Sequence, residues 1–204
     1  FKKDSLFLTP ILLAGHYKDN NLRFNVKVNN ESNPTRLNLM ADLKGIEKGF
    51  QFHATSSQIV TNNKSWSINP KHEIIFKEGI LKVNDFIVSH KSELVKMQTE
   101  VNDKKETDLF LTIAKVNLND ITSSLIKGNL KFYGLINGNV EVKNVFKNPA
   151  PVANFQIEKI VINRDTVGNL IVRSVWDESE SKVKVNSSII GKFQDINIDG
   201  YYKA

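Results

Sequence analysis

The chain has no cysteine. Disulfides, thiol nucleophiles and thiolate metal sites are therefore excluded, while the redox compartment stays open, because cysteine-free proteins also occur in bacterial envelopes. Proline and glycine are sparse, at 5 and 10 of 204 residues, so neither a collagen-like repeat nor a Gly/Pro-rich linker divides the chain. Pro149-Ala150-Pro151 is long enough for no more than a connection between strands. Long hydrophobic runs are missing too: Ile11-Leu12-Leu13-Ala14 falls far short of the roughly 20 apolar residues of a membrane-spanning helix. Charge of one sign is in mild excess, 28 Lys+Arg against 22 Asp+Glu for a net +6 and a pI near 9.3. This permits attraction to anionic surfaces such as phosphate head groups. The adjacent basic pairs, Lys2 with Lys3 and Lys104 with Lys105, lack an aromatic stacking platform, so no nucleic-acid partner is expected. The first residue is Phe1 rather than Met, which leads us to expect a mature or excised segment with a signal or anchor outside it.

Motifs for catalysis are also lacking. His16, His53, His72 and His90 have no partner at metal-ligand spacing, so no metal is expected. Asp177, Glu178 and Glu180 sit in a turn, where solvation rather than acid–base work is expected. Gly128, Gly134 and Gly138 form no phosphate-binding loop. Ser123-Ser124 and Ser187-Ser188 have no nucleophile-elbow context and read as hydroxyls in turns or on a strand face. The triplets at Asn30, Asn63 and Asn186 match the glycosylation pattern, as expected by chance in a chain with 24 asparagines. Neither an enzyme nor a cofactor is expected.

What is present is period-two alternation. Leu22, Phe24, Val26 and Val28 alternate with polar residues, and Leu37, Leu39, Ala41 and Leu43 repeat the pattern. Further along come Phe50 with Phe52, Trp66 with Ile68, Ile74 with Phe76, Leu81 with Val83, and Val95 with Met97. The triplet Leu109, Leu111 and Ile113 follows, then Leu130 with Phe132 and Val140 with Val142. Phe155 with Ile157, Leu170 with Val172, Val183 with Val185 and Ile196 with Ile198 complete the set. Because successive strand residues face opposite ways, this predicts a dozen or more strands with one apolar and one Asn-rich polar face. Turn signals at 29–34, 62–63, 78–79, 102–103, 137–138, 165 and 178–180 predict an antiparallel meander. Asn137-Gly138 predicts a hairpin with arms 130–135 and 139–145. A parity flip at Asn84-Asp85 predicts a β-bulge, and Asn119 through Ile126 predicts one or two helical turns. Alternation alone fits both a sealed sandwich or solenoid, of the kind a binding or adhesion module uses, and an open curled sheet whose apolar face lines a trough.

The order of features from Trp66 onward resembles the repeat region of the TamB-like translocation and assembly module proteins of the AsmA superfamily. The likeness is carried by Trp66-Ser67-Ile68-Asn69-Pro70, Glu73-Ile74-Ile75-Phe76 and the strand from Gly79 to Phe86. It continues through Ala114 to Ile121, Lys127-Gly128-Asn129-Leu130, Leu135 to Val142, Pro149 to Ile162, Val167 to Leu170 and Val175-Trp176-Asp177. Residues 1–65 agree in alternation only, and 66–204 more closely. With no linker dividing it, 1–204 reads as one continuous all-β segment with at most one short helix, and the resemblance implies that its elongated antiparallel sheet is curled into a taco-like groove with an apolar interior. The alternating residues above would line that groove, with Phe24, Phe52, Trp66, Phe76, Phe132 and Phe155 the bulkiest. It further implies phospholipid acyl chains as cargo, transport between the inner and outer membranes of a diderm envelope, and an inner-membrane anchor outside these residues. The rest of the same chain and an outer-membrane barrel-assembly protein would be its partners. The rival readings are the sealed sandwich or solenoid binding and adhesion module, and a structural scaffold that docks such a protein through a sheet edge.

Overall fold

The computed structural model describes residues 11–29, 36–61, 63–125, 130–191 and 195–203. Lys2 and Lys3, most of the 29–34 turn with the Asn30 triplet, Asn62 and Gly128 lie outside the described residues. Among the described residues fifteen strands join one antiparallel sheet: β1 (Ile11–Lys18), β2 (Asn21–Asn29), β3 (Arg36–Ile46), β4 (Gly49–Thr61), β5 (Lys64–Ile68), β6 (Glu73–Lys77), β7 (Ile80–Asn84), β8 (Phe86–His90), β9 (Glu93–Val101), β10 (Thr107–Asn117), β11 (Phe132–Lys143), β12 (Ala150–Ile162), β13 (Asp165–Asp177), β14 (Lys182–Ile190) and β15 (Asp195–Lys203). Among the described residues one helix, α1 (Leu118–Leu125), follows β10; it begins one residue before the expected Asn119 cap, and Asn117 caps it instead, its Oδ1 accepting from Asn119 N at 3.0 Å. Thirteen strands form a continuous path, β1-β2-β3-β4-β5-β8-β9-β10-β11-β12-β13-β14-β15, that does not close on itself. The strands make one curled layer rather than the two facing sheets of a sandwich.

The meander is broken at one place. The first residues of β4, Gly49–Phe52, pair with β6, whereas Ile59–Thr61 pair with β5. The β6–β7 hairpin is therefore a side branch, and threonine hydroxyls carry its outer edge to the main path. Thr99 Oγ1 of β9 accepts from Val83 N at 2.8 Å and donates to Leu81 O at 3.0 Å, while Thr107 Oγ1 of β10 accepts from Leu81 N at 3.3 Å. The expected bulge at Asn84-Asp85 is instead the corner between β7 and β8. Asp85 turns there with φ 51°, which moves the chain from β6 to new partners, β5 and β9, and flips the apolar parity.

Inside the fork His72 is 2% exposed, and its ring replaces a missing strand partner. Ala54 N donates to His72 Nε2 at 2.9 Å, which leaves the ring proton on Nδ1, 2.6 Å from the Asn69 carbonyl it bonds.

The Asn137-Gly138 hairpin does not form: β11 runs straight through both residues, paired with β10 and with β12. Tertiary pairing on both sides overrides the turn preference, and each residue has a task within the strand. Gly138 lies opposite Phe155, where a Cβ would collide with the Phe155 ring and sit 2.5 Å from Asn154 O. Asn137 Oδ1 accepts from Lys115 N at 2.9 Å, and Asn169 Oδ1 does the same for Lys159 N at 2.9 Å. Lys115 and Lys159 are left-handed, φ 54° and 53°, at two register shifts within matching runs, Ile113-Ala114-Lys115-Val116 and Ile157-Glu158-Lys159-Ile160. Each bulge adds a residue, which bends the sheet and returns Val116 and Ile160 to its apolar face, where they are buried. The turn expected at Asp165 lies one step earlier, at Asn163 and Arg164.

Candidate functional site

Register assembles the alternating residues into one face. One row passes from Leu13 through Val26 and Leu39, and a second from Leu22 through Leu43, Phe52 and Ile74 to Val83. Beyond the fork, Val88, Val95, Ile113, Gly138, Phe155 and Val172 continue the surface to Ser187 and Ile198. A neighbouring row runs from Phe86 through Met97 and Leu111 to Val140, with Met97 and Leu111 directly opposite each other and half-buried. Val185 is on the same side and half-buried, but its partners in register are Ser174 and Gly200. The apolar surface therefore thins at Val185 instead of continuing as a row of large side chains.

Each predicted lining residue lies on this side except Leu130, which precedes β11 and is 53% exposed. Further members escaped the sequence reading, Leu13, Val116 and Trp176 among them. Phe86 and Val88 were hidden by the β7–β8 corner, Ile136 by the hairpin reading and Ile160 by its bulge.

Aromatic rings cross the face in contact. Phe24–Phe52, Phe52–His72 and His72–Phe86 centroids are 6.4, 6.4 and 5.6 Å apart. At one end Phe76 stacks on Phe50 at 5.4 Å and meets the edge of Phe146 at 5.8 Å. Among the described residues eight apolar side chains are buried, most of them at the fork and the bulges: Ala41, Ala54, Trp66, Val83, Val116, Ile136, Ile160 and Val183. Most of the rest of the face is half-buried by neighbours within its own layer; Phe50 and Ile196 are exposed, and its outermost members, Leu13 and Ile198, are 72% and 55% exposed.

The opposite end is polar. Lys64 and Glu93 share the face of Trp66 and Val95, and Asp120 reaches them from α1. Lys64 Nζ lies 2.7 and 3.0 Å from the Glu93 carboxylate and 2.8 Å from Asp120 Oδ2. Burial pulls the Lys64 ammonium down, but its bonds to Asp120 and Glu93 outweigh this and hold it above its usual value. Thr61 Oγ1 also donates to Asp120 O at 3.4 Å, so α1 is pinned across this end of the face.

The outer face carries amide and ion ladders, including Asn25–Asn38 at 2.8 Å and the two-pronged Arg23–Asp42 pair at 2.8 and 3.0 Å. At the β13–β14 turn Asp177 accepts from Lys184 at 2.6 Å and from Ser179 Oγ at 2.6 Å. These bonds, that from Lys184 foremost, hold its carboxyl well below the usual range. A depressed carboxyl stabilises the fold above its unfolded pKa of about 3.9 and loses that contribution only as pH falls through the folded value. Changing Lys184 to Met should raise the Asp177 titration midpoint towards about 3.9, as read by carboxyl-carbon NMR. The turn should then open at a higher pH than in the parent.

Among the described residues no group of three His, Cys, Asp or Glu could hold a metal ion, and no helix is long and apolar enough to cross a membrane. His53 and His72 stack at 4.6 Å, with the His72 ring nitrogens committed to backbone groups. Fold and face together define an open, single-layer β-sheet protein with one long apolar surface. No family model matches the chain, and neither a curated protein nor a solved structure matches it.

Proposed function

We propose that the chain is a hydrophobic conduit: a TamB-like envelope segment whose apolar face carries phospholipid acyl chains between membranes while the head groups stay in water at its rim. The observation that carries this reading is the continuous apolar face, held in register across the sheet, with no second sheet over it among the described residues. Monomeric proteins rarely expose so extended an apolar surface unless it receives a partner. An acyl chain is a suitable one, since each methylene it buries contributes roughly 0.8 kcal/mol. A periplasmic location and a link to outer-membrane assembly accompany this reading through the sequence resemblance.

The test is lipid extraction and native mass spectrometry on protein purified from a diderm host, beside Phe24→Asp/Leu39→Asp. The parent should carry phospholipid and take up an apolar fluorophore. The double variant, folded by circular dichroism, should lose about tenfold of both. A lipid-free parent that ignores the fluorophore would sink the proposal.

A second reading is favoured by the sheet edges. Ile11, Leu12 and Leu13 of β1 and Tyr201 and Tyr202 of β15 are each more than 60% exposed, which suits strand addition by an assembly partner. Docking of that kind would survive the double variant.

A further inference from the structure

Beside the turn between β13 and β14 the apolar face runs into a cleft of about 540 Å³, within the range of about 300–1,000 Å³ common for small-ligand sites. Asn144, Asn148 and Pro149 form one wall, and Trp176, Glu178 and Ser181 the other. Trp176 is opposite Val183 in register, and Val183 is buried, so the indole belongs to the apolar face and carries it into the cleft.

The charges around this cleft are unevenly satisfied. Lys184 is paired with Asp177, Lys182 with Glu180, and Lys147 with Glu106 at 3.3 Å. The Lys182 ammonium also lies 4.7 Å from the centre of the Tyr201 ring. Glu178 is the one charged residue among those lining the cleft, and it makes no ion pair with the described residues. Close by, Asn144 Oδ1 is buried without a hydrogen-bond donor. A ligand entering here meets an indole, amides and a carboxylate, and no free cation among the described residues. Phosphate or carboxylate placed against Glu178 would be repelled. A primary or quaternary ammonium is attracted by the carboxylate and by the electron-rich face of the indole together.

We propose that this cleft binds the ammonium of an amine-bearing head group, at the point where a lipid's acyl chains pass onto the apolar face. The inference rests on the conduit reading for the chains, and on the cleft alone for the ammonium. Head-group selection would then sit at Trp176 and Glu178, where the apolar face meets the cleft.

The test is calorimetric titration of the whole chain with dihexanoyl phosphatidylethanolamine, dihexanoyl phosphatidylglycerol and chain-free phosphoethanolamine. The Trp176 indole N–H is followed by NMR in parallel. Phosphatidylethanolamine should bind at least tenfold more tightly than phosphatidylglycerol. Glu178→Gln should abolish that preference by weakening phosphatidylethanolamine, with phosphatidylglycerol held no more weakly than by the parent, and Trp176→Leu should weaken phosphatidylethanolamine more than phosphatidylglycerol. Phosphoethanolamine should shift the Trp176 signal at higher concentration. If both lipids bind equally, or Glu178→Gln retains the preference, the head-group site is wrong while the conduit stands. If phosphoethanolamine shifts Trp176 and neither lipid binds, the ammonium site stands and the conduit falls. Silence from all three ligands overturns both.

Discussion

Replacing Lys64 with Met should destabilise the protein by about 3–5 kcal/mol, the usual cost of leaving buried charge without its partner. The Lys64 side chain is 27% exposed, Glu93 16% and Asp120 5%, so water screens this cluster weakly. Without the ammonium, two carboxylates that now share one cation face each other on the inside of a curled sheet. The denaturant midpoint should drop with little change in slope, and amide exchange should rise first in α1, which Asp120 ties to β5. The triple variant Lys64→Met/Glu93→Leu/Asp120→Leu should recover most of the loss, because removing every member of the network also removes its desolvation cost. If the single variant unfolds at the parent's midpoint, the network is not what holds α1 across the face.

This network was not legible in the sequence, because Lys64, Glu93 and Asp120 meet only after β5, β9 and α1 have converged. Alternation, by contrast, is a local consequence of the pleat, so Leu22 to Val28 and Leu37 to Leu43 announced both their strands and their face. The same alternation serves a sealed core and an open trough, and so could not distinguish them. It also says nothing of what lies across the ladder: Leu111 meets Met97 and Val140, whereas Val185, equally regular in sequence, meets a serine and a glycine. Turn chemistry was legible only where no neighbour competed. Glu78-Gly79 turns because no strand runs along both sides of it, its one neighbour being the β3–β4 turn, where Lys48 O accepts from Glu78 N at 3.1 Å, whereas Asn137-Gly138 stays extended between β10 and β12. The bulges at Lys115 and Lys159 were hidden for a further reason: a left-handed lysine is costly alone and is held by an asparagine on the next strand. The β6–β7 branch depends on two threonine hydroxyls far along the chain and has no local signature at all.

A single layer also governs how damage spreads, and Gly168→Ala is where this should be clearest. Gly168 has φ +132°, a conformation that L side chains rarely adopt, and an added Cβ would collide with the Ile190 carbonyl oxygen and sit 2.7 Å from the Gly191 Cα. Both obstacles are backbone, fixed by the β13–β14 ladder, so neither can rotate away. Conformational strain and overpacking together should cost about 3 kcal/mol. Gly79→Ala should cost about 1 kcal/mol, since φ is +80° there but the space is open. Gly200→Ala, with open space and no left-handed φ, should change stability by less than about 0.5 kcal/mol. In a compact domain the first of these losses would be shared by the whole core. Here each strand is held mainly by its two neighbours, as in a repeat array, so the damage should stay near the end of the sheet. Hydrogen exchange should rise in β14 and β15 while β2 to β4 keep the parent's protection. Uniform loss of protection from β2 to β15 would mean that the sheet behaves as one cooperative core, which a face open along its length cannot supply.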